Sequence, residues 1–281
     1  MNKGYIKIAL AFLSVAGCMQ NITFASEHAL STNSLNTESK QQLFIDPEEA
    51  KQAADVMADT LDIAQKHAQH SEDYKLYSKN GDAATLYFKR INETDIGKLD
   101  LIIPNPDCYD DIISLLMDPN GPKKIYNTFV DGHVSRIYNP NLLIMRRQYK
   151  STIVGSQRYC YALVNKTELS DSETAIVMVS SDTNDRDSEQ YETHINPIVE
   201  SANLFKPDID PLEDIRNANV PKMHINLAAF FIKKEADCVK VTIISSVNYN
   251  APSYISQYAI RRIASRNFLQ AAKLGDIFKK E

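Results

Sequence analysis

Near the end of the chain, Ile260, Ile263, Ala264, Phe268, Ala271 and Leu274 recur at a spacing that puts them on one face of a helix. Arg261, Arg262, Ser265, Arg266, Gln270 and Lys273 fall on the other face. Pro252 and Ser253 before this stretch and Gly275 after it are start and stop signals, so the pattern predicts a helix over 256–274. Ala264 and Ala271 are small, which lets another element approach that face closely. A helix is also predicted over 46–70. Asp46 is its N-cap, Pro47 its first residue and Glu49 its third, with Ala50, Ala53, Ala54, Met57, Leu61, Ala64 and Ala68 as the apolar stripe. A shorter one opens at Asn105-Pro106, offers Ile112, Ile113, Leu115 and Leu116 to a core, and ends at Asp118-Pro119-Asn120-Gly121-Pro122.

Most of the rest reads as strands. Runs over 74–78 and 84–91 are separated by Asn80-Gly81, a strong hairpin signal, and 96–103 follows as a third strand. Strand signals return over 134–138, 142–149, 157–169 and 174–181, and again over 223–232 and 237–247. The charged stretch 183–190 and the stretch 203–219, broken by Pro207 and Pro211, read as long loops. A long run of strands closed by one amphipathic helix suits a sheet curled around that helix with a cavity between. A plain core helix closing an α+β domain suits it as well.

Charge and composition narrow the function. Residues 1–25 read as a secretory signal peptide: Lys3 and Lys7, an apolar run over 8–15, then Thr23-Phe24-Ala25 before Ser26. Val15-Ala16-Gly17-Cys18 resembles a bacterial lipobox, which would start the mature chain elsewhere. Residues 26–45 are polar and aperiodic, a disordered linker, and 46–281 form the remaining domain. Without the signal the chain has 29 basic and 36 acidic residues, a net −7, so no nucleic acid partner is expected. Cys108, Cys160 and Cys238 then remain, an odd number that allows at most one internal disulfide, with buried free thiols as the alternative.

Candidate chemistry is sparse. Glycine is scarce, and no glycine-rich phosphate loop or GxSxG motif occurs. His67 and His70 are spaced to share a metal, or simply suit a polar helix end. Asp107, Asp110 and Asp111 fit the positive start of their helix. No Ser/His/Asp order or paired-carboxylate motif stands out, so the chain is read as no enzyme, with no cofactor and no metal. Arg146-Arg147 sit in an otherwise apolar strand, and alternation sends one of them inward. An inward arginine is costly unless it meets an anion, such as a phosphate headgroup, or a nearby acid.

The residues also carry a resemblance. Val241-Thr242-Ile243, then Asn250-Ala251-Pro252 and the terminal helix, resemble the end of a START lipid-transfer domain. More closely, 47–281 is similar to the fam-a proteins of rodent malaria parasites (Plasmodium). The shared stretches include Asp73-Tyr74-Lys75-Leu76-Tyr77, Ile103-Pro104-Asn105-Pro106-Asp107 and Asp118-Pro119-Asn120-Gly121. Others are Asn196-Pro197-Ile198-Val199, Phe205-Lys206-Pro207-Asp208-Ile209-Asp210 and Ala229-Phe230-Phe231-Ile232-Lys233-Lys234-Glu235. The match has departures. START domains commonly carry Arg-Asp where Arg158 is followed by Tyr159, and Met117 stands where many fam-a members have Trp.

The resemblance implies an α+β helix-grip fold: a curved antiparallel sheet wrapped around a long C-terminal helix, with an internal cavity. It implies binding and transfer of a lipid, a phospholipid such as phosphatidylcholine, through transient contact with membranes. It also implies secretion by the parasite, into the parasitophorous vacuole or the host erythrocyte. The five-residue export motif Arg-x-Leu-x-acid/Gln is absent near the signal. An interaction or antigenic protein that keeps the fold without a ligand is the alternative. Strand parity and the helix face assign Met145, Arg147, Tyr161, Met178, Asn226, Phe230, Ile243 and Phe268 to the cavity lining. In this reading Arg147 meets the phosphate, Asn226 and the Tyr161 hydroxyl meet the ester region, and the others line the acyl chains.

Overall fold

The Asp46 carboxylate accepts hydrogen bonds from the backbone N–H of Glu48 (2.9 Å) and Glu49 (3.3 Å) and starts helix α1, Pro47–Ala68. This structure is a computed structural model that describes residues 46–69, 72–81, 83–91, 93–151, 153, 157–185, 194–209 and 220–279. The expected signal peptide and linker, His70 and most of the two long loops lie outside the described residues. All described residues belong to one unit, Gln41–Glu281. The buried side of α1 is Ala53, Val56, Met57, Thr60 and Ala64. The face is thus turned from the alanine stripe expected, and Ala54 is exposed.

Nine strands follow: β1 (Lys75–Asn80), β2 (Ala84–Ile91), β3 (Thr94–Ile103), β4 (Phe129–Asn139), β5 (Leu142–Lys150), β6 (Gln157–Ser170), β7 (Glu173–Val179), β8 (His224–Lys234) and β9 (Val239–Asn248). They form one sheet in the order β1-β2-β3-β9-β8-β7-β6-β5-β4, with every neighbouring pair antiparallel. The expected Asn80-Gly81 hairpin joins β1 to β2, and Gly81 takes the left-handed conformation (φ 56°) that this turn requires. Between β3 and β4 lies helix α2, Tyr109–Met117. After β9 come α3, Gln257–Ala271, and the short α4, Leu274–Ile277.

Both faces of the sheet are covered. Leu99, Leu101, Met145, Val164, Met178, Phe230 and Ile243 face inward, against α2 and against Phe268, Ala271 and Leu274 of the C-terminal helices. Ile144, Tyr159, Tyr161, Leu163, Val177, Ala229, Phe231 and Ile244 face outward, where Ala53, Val56, Met57 and Ala64 of α1 pack on them. The central strands are therefore apolar at nearly every position, as strands buried on both faces are. Gly97 in β3 lets α3 come close. A Cβ there would stand 2.1 Å from the Phe268 ring. Cys108, Cys160 and Cys238 are free, buried thiols.

Candidate functional site

Between the inner face of the sheet and α3 lies a cavity of about 530 Å³. Leu115, Leu116, Ile125, Met178, Phe230 and Ile243 line its walls, and Ile260, Ala264, Phe268 and Ala271 of α3 roof it. The strand register brings the start of β3, the end of β5, the starts of β6 and β8 and the end of β9 to one end of the sheet. At that end, lining residues Asp95, Lys150, Ser151, Arg158 and Tyr249 form a polar rim, with Met223 beside them.

Polar fastenings hold the roof at this rim. Ser256 caps α3 by accepting from the Ala259 N–H (3.3 Å). Arg261 donates twice to Asp95 (2.8 and 2.5 Å), tying the helix to the start of β3. Asn267 donates to the Tyr249 hydroxyl (3.0 Å), and Gln270 accepts from the Asn127 N–H (3.0 Å). The segment joining β9 to α3 is held by Arg158, which donates to the carbonyls of Tyr249 (2.8 Å) and Asn250 (3.2 Å) and to Ser151 Oγ (3.2 Å). Asn250 itself is in the left-handed region, φ 48°.

Arg147 is a buried charged group on the cavity lining. It is 8% exposed, and among the described residues it makes no ion pair. Its Nη atoms reach Met178 Sδ and Met145 Sδ (3.5 Å each) and the Leu116 carbonyl (3.4 Å), and its Nε has no partner. Soft sulfur, one long carbonyl contact and the neutral Tyr149 hydroxyl are poor compensation for a desolvated guanidinium. The Tyr126 and Tyr149 rings meet edge to face, 6.5 Å apart, also on the lining. Burial raises the pKa of both phenols, Tyr126 to about 12, and the Arg147 charge opposes the rise. Burial likewise raises the Cys160 thiol to about 11. These groups are neutral hydrogen-bonding partners near neutral pH. Asn226 adds a buried Oδ1 without a partner.

Of the residues assigned from the sequence, Arg147, Met178, Asn226, Phe230, Ile243 and Phe268 line the cavity. Met145 faces inward but packs behind it, in the inner core. Tyr161 corrects the assignment: it lies on the outer face, packed with Tyr159 and α1. Arg147 pairs with Cys160 across β5–β6, and Tyr161 pairs with Arg146. Paired residues share a face, so an inward Arg147 requires an outward Tyr161. Its hydroxyl cannot reach a ligand in the cavity.

Tyr149, Arg158 and Cys160 are cavity residues that the sequence reading missed, although register could have found them. Tyr149 has the parity of Arg147 and pairs with Arg158. Tyr126 and Tyr249 come from connecting segments, where no periodicity points to them. Of the two histidines spaced to share a metal, His70 lies outside the described residues, and His67 Nδ1 meets the Tyr74 hydroxyl at 2.9 Å. Among the described residues no three His, Cys, Asp or Glu side chains are placed to hold a metal ion.

A nine-stranded antiparallel sheet gripping a C-terminal helix over a cavity is the START-like, helix-grip α+β fold. The structure is similar to the human StAR-related lipid transfer protein 5, with a TM-score of 0.60 and 11% identity over 81% of this chain and 97% of that one. It is also similar to human STARD10 (TM-score 0.54, 9% identity, 87% and 82% covered). A third similar structure is a STAR-related lipid transfer protein from Xanthomonas axonopodis (0.51, 13%, 74% and 100%). No family model matches the chain, and no curated protein matches it in sequence.

Proposed function

We propose that this protein is a non-enzymatic carrier that binds a phospholipid, phosphatidylcholine included, and transfers it between membranes it touches transiently. The observation that carries this reading is Arg147, a buried cation without a carboxylate, set beside the apolar wall of the chamber. A phosphate would supply the missing counter-charge, with Tyr126, Tyr149 and Asn226 as neutral partners nearby. The fold, shared with proteins named as lipid transfer proteins, supports the same class of ligand. Physical need supports enclosure: a two-chain lipid exposes about thirty methylenes in water, a penalty on the order of 20 kcal/mol. The fastenings at the rim end of α3 are polar and few, so that end of the roof can release to admit the ligand.

The signal-like residues 1–25 and the stretches shared with fam-a proteins support a secreted parasite protein, in the vacuole or the host erythrocyte. An interaction protein without a ligand would have side chains filling the interior, and the 530 Å³ chamber speaks against that alternative. The test is mass spectrometry of lipid retained by the purified protein, followed by transfer of labelled phosphatidylcholine between vesicles. Ala264→Trp, which fills the chamber from its roof, is expected to abolish both while the protein stays folded. Wild-type protein with no retained lipid and no transfer would overturn the reading.

A further inference from the structure

Four buried polar atoms gather at the rim end of the sheet: Asn226 Oδ1, Ser246 Oγ, His194 Nε2 and His224 Nδ1. Among the described residues none of the four has a hydrogen-bond partner. Ser246 and Asn248 share one side of β9, and Asn248 pairs with His224 across β8–β9. The Asn248 amide donates to His194 Nδ1 (3.4 Å), and the His194 ring stacks on His224 at 3.9 Å. Asn226 interacts with His194 as well. Asn226, Ser246 and Asn248 line the cavity, and the two histidines stand against them.

The backbone places Asn226 here. The β8–β9 register slips between Ile225 and Leu227, so Asn226 is the extra residue of a bulge, a device that re-aims one side chain. The bulge is fastened from two sides. Ser180 Oγ accepts from the Ile225 N–H (2.9 Å), and the Ser180 N–H donates to the Ile225 carbonyl (2.8 Å). Asn196 Nδ2 donates to the Asn226 carbonyl (2.9 Å). A held backbone thus presents an amide oxygen that has nothing to accept from.

The charges around this corner are already answered. Lys222 donates to the Thr183 carbonyl (2.8 Å) and pairs with Asp185 (3.3 Å), and Asp182 pairs with Lys206 (3.0 Å). Burial holds both imidazoles below their ordinary value, so they are neutral near neutral pH. His194 Nδ1 accepts from Asn248, so its Nε2 carries the proton and is a donor. The corner therefore sets donors and acceptors side by side without charge of its own. A quaternary ammonium has no proton to give Asn226, and an anion is better met by Arg147. Hydroxyls, which both donate and accept, answer every one of these atoms. We infer that this corner holds an uncharged polyol, the glycerol or inositol headgroup of a phospholipid, with hydroxyls on Asn226 and Ser246 and the phosphate towards Arg147.

The inference rests on the carrier reading, and the experiment separates the two. The full chain is incubated with vesicles holding equal amounts of phosphatidylcholine, phosphatidylglycerol, phosphatidylinositol and phosphatidylpropanol, and the lipid it retains is measured by mass spectrometry. Phosphatidylpropanol has the charge of phosphatidylglycerol and nearly its size, but lacks its headgroup hydroxyls, so the comparison reads hydroxyls alone. Wild-type protein is expected to retain phosphatidylglycerol, phosphatidylinositol or both about tenfold over phosphatidylpropanol, because the analogue leaves buried polar atoms unpaired. Which of the two polyols is retained more tells the glycerol from the inositol source. The double variant Asn226→Leu, Ser246→Ala is expected to bring the ratio to about one, and Ser246→Thr, which keeps the hydroxyl, is expected to preserve it. Retention of neither polyol lipid above phosphatidylpropanol by wild type overturns the inference, since water alone then answers these atoms, and leaves the carrier reading standing. An unchanged ratio in a double variant that unfolds at the wild-type temperature overturns it too. Wild-type protein that retains no lipid of any kind overturns the carrier reading, and this inference with it.

Discussion

Arg146 and Arg147 are neighbours in β5 that point to opposite faces of the sheet, and only Arg146 meets a carboxylate. Arg146 is fully buried and donates to Asp131 (2.7 Å), Gln148 (2.7 Å) and His133 Nδ1 (3.1 Å). Arg147 is satisfied by none of these. Replacing each by methionine should therefore have opposite effects. Arg146→Met leaves Asp131 and Gln148 without their partner and is expected to cost about 2 kcal/mol in urea unfolding. Arg147→Met removes an uncompensated buried charge and is expected to hold stability or raise it by about 1 kcal/mol. The same substitution should strip phosphate-bearing lipid from the purified protein, as read by mass spectrometry.

This pair also shows how much of the molecule was legible in the sequence. The cap at Asp46, the Asn80-Gly81 turn, the order of elements and the terminal helix could be read because local chemistry fixes them. Which way each strand faced was harder, because α1 covers the outer face as fully as α3 covers the inner one. In β6, Tyr159, Cys160, Tyr161, Ala162 and Leu163 are all buried, so no polar alternation marks the inward side. In β5 the charged pair at 146–147 broke that uniformity, and Arg147 could be placed. Tyr126 and Tyr249 were illegible for a different reason: tertiary packing alone brings their segments to the cavity.

Gly97 sets how closely the roof sits. Its missing side chain is where the Phe268 ring rests, itself edge-on to Phe88 at 5.9 Å. Gly97→Ala is expected to destabilise the fold by about 1–3 kcal/mol through overpacking. It should also lift α3, so that a solvatochromic dye binds the apolar chamber more strongly than in wild type.

His194 and His224 stack in parallel beside the rim, with ring centroids 3.9 Å apart. Burial holds His224 down at about 3, helped by the nearby His194 and Lys222 charges, and burial also lowers His194 against the pull of Asp182. Unfolded, both would titrate near their ordinary value of about 6.5. The unfolded chain then binds the extra protons, so this contribution is complete above about pH 6.5 and is lost as pH falls towards 3. Between pH 6.5 and 4.5 the expected loss from His224 is about 2 kcal/mol. His224→Gln should flatten the profile of denaturation midpoint against pH over that interval.

Arg158 holds the segment that leads into the roof by two backbone carbonyls and a serine hydroxyl. Arg158→Gln is expected to speed exchange of bound lipid by about tenfold, as about 1.4 kcal/mol of hydrogen bonding is lost from the closed form alone. Stopped-flow transfer of a fluorescent phospholipid measures it. An equal rate in variant and wild type would mean that opening does not pass through this segment.

The strand order has a consequence for how the chain is made. β9 is inserted between β3 and β8, joining residues near 100 to residues near 240. Until it emerges from the ribosome, the growing polypeptide holds two unfinished half-sheets, β1–β3 and β4–β8, each with a bare edge. Such distant pairings form slowly, and exposed edges invite other chains to add to them. The nascent protein is thus most prone to clump while β8 has emerged and β9 has not, and it is then that a chaperone has most to protect.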